Sequence, residues 1–214
     1  MMKLFHGGIL YTPTPETERT CILVKDGVIL DLLTASAAAR RPDIEKADLS
    51  DGIAGPGLVD IHCHGALASD FADGIHVGPR LMEFVLKVKT GAKTALISDA
   101  LRGVGCPPGD YAFGPRQGKM CRLIDTPPVG IVPDQPGSLA SSAITLSQGL
   151  RVCTEQTFIS LAEAWKMASA TPAHILGLQA RKGALLPGHD ADILVLRKDL
   201  SVAAVYIKGE KVSC

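Results

Sequence analysis

The stretch Gly57-Leu58-Val59-Asp60-Ile61 runs straight into His62-Cys63-His64-Gly65, and its reading decides the fold class. Pro56-Gly57 punctuates the chain, and the apolar residues after it read as a short strand. Residues i and i+2 of a strand point to one face, so the two imidazoles reach a single divalent metal ion. A His-x-His pair on its own more often has no ligand role. At a glycine-flanked strand end the odds change, because α/β folds build their sites there.

Downstream, Leu81, Phe84, Val85 and Val88 recur at helical spacing from Pro79, with Gly91 where a C-cap belongs. Thr94-Ala95-Leu96-Ile97-Ser98 then reads as a buried strand ending at Asp99. Strand, helix and strand in that order point to parallel α/β pairing with a right-handed crossover. Asp99 could ligate a metal, or take a proton from a bound water and return it to a leaving amine. A turn or helix N-cap aspartate is about as common. His76 could polarise a substrate carbonyl, and Ser141 and Ser142 could line a substrate loop. In isolation a surface histidine and turn serines are the plainer roles. No G-x-S-x-G elbow, P-loop or GxGxxG occurs. Gly- and Pro-dense residues 103–137 read as loops with room for a hairpin. Ser160-x-x-Glu163 is a capping box opening a helix through Ala170. Thr171-Pro172 fits an N-cap and N1 of a second short helix ended by Gly177.

The two ends are alike. Cys21–Val24, the turn Lys25-Asp26-Gly27 and Val28–Leu30 form a hairpin signal. Ala191–Leu196 and Ala203–Ile207 are strand-like, with a turn at Lys208-Gly209-Glu210. We therefore expect one small β domain from residues 1–55 and 178–214, with 56–177 as an α/β layer. Lys plus Arg number 22 and Asp plus Glu number 22, so no basic field gathers nucleic acid or an anionic membrane. Six scattered cysteines without a CxxC pair, no leader at the start and no apolar run of bilayer length point to a reduced, cytoplasmic protein. At 214 residues the chain is short for a complete (β/α)₈ barrel of ~250.

Several segments together resemble a known family. Ala54 through Gly65 resembles the first-strand motif of the amidohydrolase superfamily, and Gly183 through Ile193 the segment leading back into its small β domain. Ala72-Asp73-Gly74-Ile75-His76-Val77, Ser98-Asp99-Ala100 with Gly103 and Gly105, Leu139–Thr145, and Met167-Ala168-Ser169 through Pro172 to Leu178 resemble one family within it, the N-acetylglucosamine-6-phosphate deacetylases. The resemblance implies a partial (β/α) metal-dependent-hydrolase barrel of TIM type, with a small β-sandwich domain built from both termini. It implies a divalent metal, zinc first, faced by His62, His64 and Asp99, with Asp99 as acid/base. His76 would contact the acetamido carbonyl, with Ser141 and Ser142 at the substrate. The substrate would be a small amino-sugar phosphate, and the chain a homodimer.

The family also carries a long stretch between the first strand and the Asp-Gly-Ile-His segment. It supplies a metal-binding glutamate, two further metal histidines and an Asn-Ala segment for the sugar phosphate. Here only Ala66 through Phe71 fill that interval, and His6, His174 and His189 match remote parts of the family. The resemblance thus implies a barrel lacking its middle, open strand edges and negligible hydrolysis by the chain alone. A catalytically inactive remnant acting as a binding or oligomer-forming module is the alternative, and another amidohydrolase activity is the third.

Overall fold

The computed structural model describes residues 1–12, 19–61, 74–112, 120–125, 127–135 and 137–213. The chain divides into two compact units, residues 1–59 with 169–214, and residues 60–168.

The first unit is a β sandwich. One sheet holds β1 (Met2–His6), β3 (Arg19–Lys25), β4 (Val28–Thr34) and β5 (Glu45–Asp48), in the order β4-β3-β1-β5. The other holds β2 (Ile9–Leu10), β6 (Ile53–Pro56), β11 (Ile193–Leu196), β12 (Val202–Ile207) and β13 (Glu210–Val212), in the order β13-β12-β11-β6-β2. Strands from both ends of the chain thus share a sheet: Ile193 to Leu196 pair antiparallel with Pro56 to Ile53. Side-chain alternation explains why Cys21 through Val24 is buried without a break. Ile22 and Val24 face the second sheet, in a core with Phe5, Ile193, Val195 and Tyr206. Cys21 and Leu23 join Leu4, Leu33 and Ala38 on the opposite face, under helix α1 (Ala35–Ala39), which Thr34 caps by accepting from the Ala37 N–H. Phe5 and Tyr206 meet edge to face, 4.9 Å between centroids.

Two tight turns set the hairpin registers. Asp26 and Gly27 take φ of 49° and 82°, and Lys208 and Gly209 take 49° and 78°. That doubly left-handed turn matches the twist of the strands it joins.

The second unit is mixed. Helix α2 (Pro79–Lys89) begins with proline at its first turn and ends where the Thr90 N–H donates to the Leu86 carbonyl. Of the apolar stripe Leu81, Phe84, Val85 and Val88, Val85 is half-buried and the other three are exposed, while Met82 and Leu86 are buried. The helix carries two apolar stripes, and packing chooses the Met82–Leu86 one. Thr90, with φ of 65°, is the C-cap in place of Gly91, which opens a 3₁₀ turn, Gly91–Lys93.

Neither predicted parallel strand forms a ladder among the described residues. Residues 57–61 follow β6 without pairing as a strand, and 94–98 are largely buried but unladdered, Leu96 N–H donating to the Met167 carbonyl at 2.8 Å. A parallel ladder needs a neighbour delivered by a crossover of a dozen residues or more, and the short interval before Ala72 has no room for further βα units. The Gly/Pro-dense region, expected as loops with room for a hairpin, is built of antiparallel hairpins that form a meander. It contains β7 (Gly109–Ala112), β8 (Met120–Asp125) and β9 (Pro128–Ile131), and β10 (Leu139–Ser142) just beyond it completes the order β10-β9-β8-β7. A single parallel bridge, Ala100 to Ser142, joins β10 to the residue after Asp99.

Helix α3 (Leu146–Gln156) is capped by a reciprocal Thr145–Gln148 box, and α4 (Leu161–Ala168) packs on it, burying Trp165 and Met167. Ser160 and Glu163 make the second capping box. In the first unit, α5 (Ala170–Ile175) starts two residues earlier than expected, with Ser169 as N-cap. Proline is tolerated throughout a first turn because those N–H groups have no helical acceptor. The sheets stay open, so the fold is α/β: a partial (β/α) barrel of TIM type together with a small β-sandwich domain.

Candidate active site

Asp99 is the focus of the second unit's polar interior. It is buried at the end of the 94–98 segment, with a left-handed backbone, φ of 42°. Its carbonyl is held twice from β10, by the Ser141 hydroxyl and by the Ser142 N–H at 3.1 Å. The Leu101 N–H returns to the Ser142 carbonyl at 2.9 Å. Ser142 Oγ accepts from the Ile144 N–H at 3.2 Å.

The structure therefore brings Asp99, Ser141 and Ser142 together through hydrogen bonds to the Asp99 main chain. Both serines are buried and both hydroxyls are engaged within the protein. Gly130 makes this closeness possible. A Cβ there would stand 2.5 Å from Leu101 Cδ2, 2.6 Å from Cys121 Sγ and 3.2 Å from the Ser141 carbonyl.

His76 lies half-buried in the bend before α2. Gly74, with φ of 69°, sets that bend against α3: a side chain there would come within 2.9 Å of Gln156 Oε1 and 3.2 Å of Val152 Cγ1. His62 and His64 fall outside the described residues. Among the described residues no group of three or more His, Cys, Asp or Glu side chains stands together as a metal site. Of the three expected ligands, Asp99 is described, and a buried carboxylate is a donor that suits a divalent ion.

Two residues absent from the expected site belong beside it. The Ser98 hydroxyl donates to Asp60 Oδ2, and the Ser98 N–H approaches Asp60 Oδ1 at 3.4 Å. The sequence signal was a carboxylate interrupting the apolar run Gly57–Ile61. Among the described residues, the buried thiols of this unit are unreactive. Burial pushes Cys153 up to about 12 and also raises Cys121, and thiols so raised are poor nucleophiles.

The amidohydrolase family model matches residues 71–212, and the chain belongs to the amidohydrolase family. Amidohydrolases are metal-dependent hydrolases acting on amide bonds. The chain is similar to the N-acetylglucosamine-6-phosphate deacetylase of Vibrio furnissii, 34% identical over 161 residues, 75% of this chain and 38% of that protein. It is also similar to the N-acetylgalactosamine-6-phosphate deacetylase of Escherichia coli O157:H7, 32% identical over 162 residues, 76% of this chain and 40% of that protein. The chain thus spans about two fifths of the length of these relatives. The crystal structure of the N-acetylglucosamine-6-phosphate deacetylase of Pasteurella multocida superposes with a TM-score of 0.86, covering 100% of both chains at 12% identity. At that identity the likeness speaks for the fold alone.

Proposed function

We propose that this chain carries the proton-transferring part of a deacetylase site for N-acetylated amino-sugar 6-phosphates, with Asp99 as acid/base. Water adds to the acetamido carbonyl of N-acetylglucosamine 6-phosphate, and the C–N bond breaks to give glucosamine 6-phosphate and acetate. The attacking water loses a proton and the departing nitrogen gains one, so a single carboxylate that takes and returns a proton serves both steps. The observation supporting this is the buried, doubly anchored Asp99 in a chain 34% identical to an enzyme of that name. His76 is assigned to the acetamido carbonyl, and β10 with Ser141 and Ser142 to the border of the substrate. His62 and His64 would join Asp99 in holding a divalent ion, zinc by the preference of imidazole and carboxylate donors. Bound there, it would polarise the carbonyl and acidify water. We assign the chain to the cytoplasm, as a homodimer.

A second reading is a non-catalytic module that binds or assembles. It is the reading to which the short interval Ala66 through Phe71, in place of the family's long metal-binding stretch, points. The discriminating experiment loads purified chain with zinc, measures retained metal and follows acetate release from both the gluco and galacto substrates. The expected rate is far below that of a complete enzyme. Release that disappears in Asp99→Asn supports the deacetylase reading. Release unchanged in that variant, or none from chain holding one equivalent of zinc, overturns it. No retained metal and no release select the module.

A further inference from the structure

We infer that Asp60 and Ser98 are positioning residues for Asp99, forming a clasp that fixes the backbone from which its carboxylate projects. The catalytic half of this inference rests on the deacetylase reading. Ser98 is 3% exposed and works in two directions. Its hydroxyl donates to Asp60 Oδ2, while the same oxygen accepts from the Ala100 N–H at 3.2 Å. Its own N–H points at the other Asp60 oxygen, 3.4 Å away. One serine thus ties the residues on either side of Asp99 to a carboxylate 38 positions earlier.

Asp99 needs such a tie. A non-glycine residue in the left-handed region persists only where its surroundings over-determine it. Here its carbonyl is held from β10 and its flanks from Asp60. A hydrogen bond to an ionised carboxylate is roughly twice as strong as a neutral one, which suits Asp60 to this task. In sequence, Asp60 lies two residues before His62. Released from the clasp, residue 99 relaxes toward an ordinary backbone conformation and its carboxylate swings away. A misplacement of ~1 Å costs on the order of 100-fold in rate.

The test uses the full chain with Ser98→Ala, Asp60→Ala and the conservative Ser98→Thr, and reads two quantities. Amide hydrogen exchange across residues 96–101 should accelerate about tenfold or more in the two alanine variants and stay near wild type in Ser98→Thr. Exchange unchanged in the alanine variants overturns the clasp, whatever the activity. Where wild type releases acetate, the alanine variants should lose about 10- to 100-fold in kcat with KM unchanged, and Ser98→Thr should restore it. A loss confined to KM, or no rescue by threonine, overturns the positioning role. A wild type that holds one equivalent of zinc and shows no turnover refutes the deacetylase reading, and the exchange measurement still decides the clasp.

Discussion

Replacing Lys182 by methionine should destabilise the sandwich unit in a way that vanishes in acid. Asp190 is a nearly buried carboxylate, its side chain 5% exposed, held by Lys182 Nζ at 2.9 Å and Arg181 Nη2 at 3.1 Å. Lys182 also pairs with Asp192, whose Oδ1 accepts the Lys208 N–H at 2.9 Å. The cluster therefore pins residues 181–192 to the β12–β13 turn. Burial pushes Asp190 up, but hydrogen bonds and charge from Lys182 and Arg181 outweigh it and hold the carboxyl below its usual range. Breaking a buried pair costs about 3–5 kcal/mol, and the retained Arg181 reduces this to about 2–3 kcal/mol. For a chain of this size that is roughly a 5–10 °C fall in Tm at pH 7. The sign follows from the depressed carboxyl. Its stabilisation is full above the unfolded aspartate value of about 3.9 and fades as pH falls through the lower folded value. Lys182 is raised above its usual value: burial lowers it, but Asp192 and Asp190 more than compensate. Its contribution is therefore full through neutral pH, below the unfolded lysine value, and is lost as pH rises from there through the raised folded value. Thermal unfolding of wild type and Lys182→Met from pH 8 down to pH 2.5 checks this. A shift under 1 °C at neutral pH, or one equally large at pH 2.5, would refute the reasoning.

Phe5→Ala removes a fully buried ring from between the two sheets. It should cost about 3–5 kcal/mol in urea unfolding. Gly130→Ala forces a methyl against Leu101, Cys121 and the Ser141 carbonyl. Overpacking of that kind should cost about 1–3 kcal/mol, and amide exchange should rise at Ser142, whose N–H holds the Asp99 carbonyl. Alkylation at pH 8 followed by peptide mapping should label exposed Cys106 and leave Cys153, with its raised thiol, unmodified. Equal labelling of the two would contradict the packing of α3.

Much of the architecture was legible where signals are local. Lys25-Asp26-Gly27 and Lys208-Gly209 announced their turns because few residues accept a left-handed backbone, and Ser160-x-x-Glu163 announced α4 through its cap. The same kind of box at Thr145–Gln148 caps α3, but it follows a Gly/Pro-dense stretch whose local signals point to loops. Of the candidate site, Asp99 and the two serines were singled out by residue type and resemblance. Nothing in their spacing showed that both hydroxyls would turn inward, or that Asp60 would reach Ser98.

By itself the sequence determined the hairpin turns, the capped helix α4, the β-rich ends and the family to which the chain belongs. These follow from backbone preferences and motifs that a few neighbouring residues express alone. Only the tertiary structure decided that α2 buries Met82 and Leu86 and leaves Leu81, Phe84 and Val88 outside. It also decided that residues 94–98 are largely buried without a ladder, and that the Gly/Pro-dense region closes as a meander. In each case the choice belongs to partners distant in sequence: which stripe meets a core, which edge finds an acceptor, and which oxygen lies nearest a buried hydroxyl are settled only when those partners are brought together.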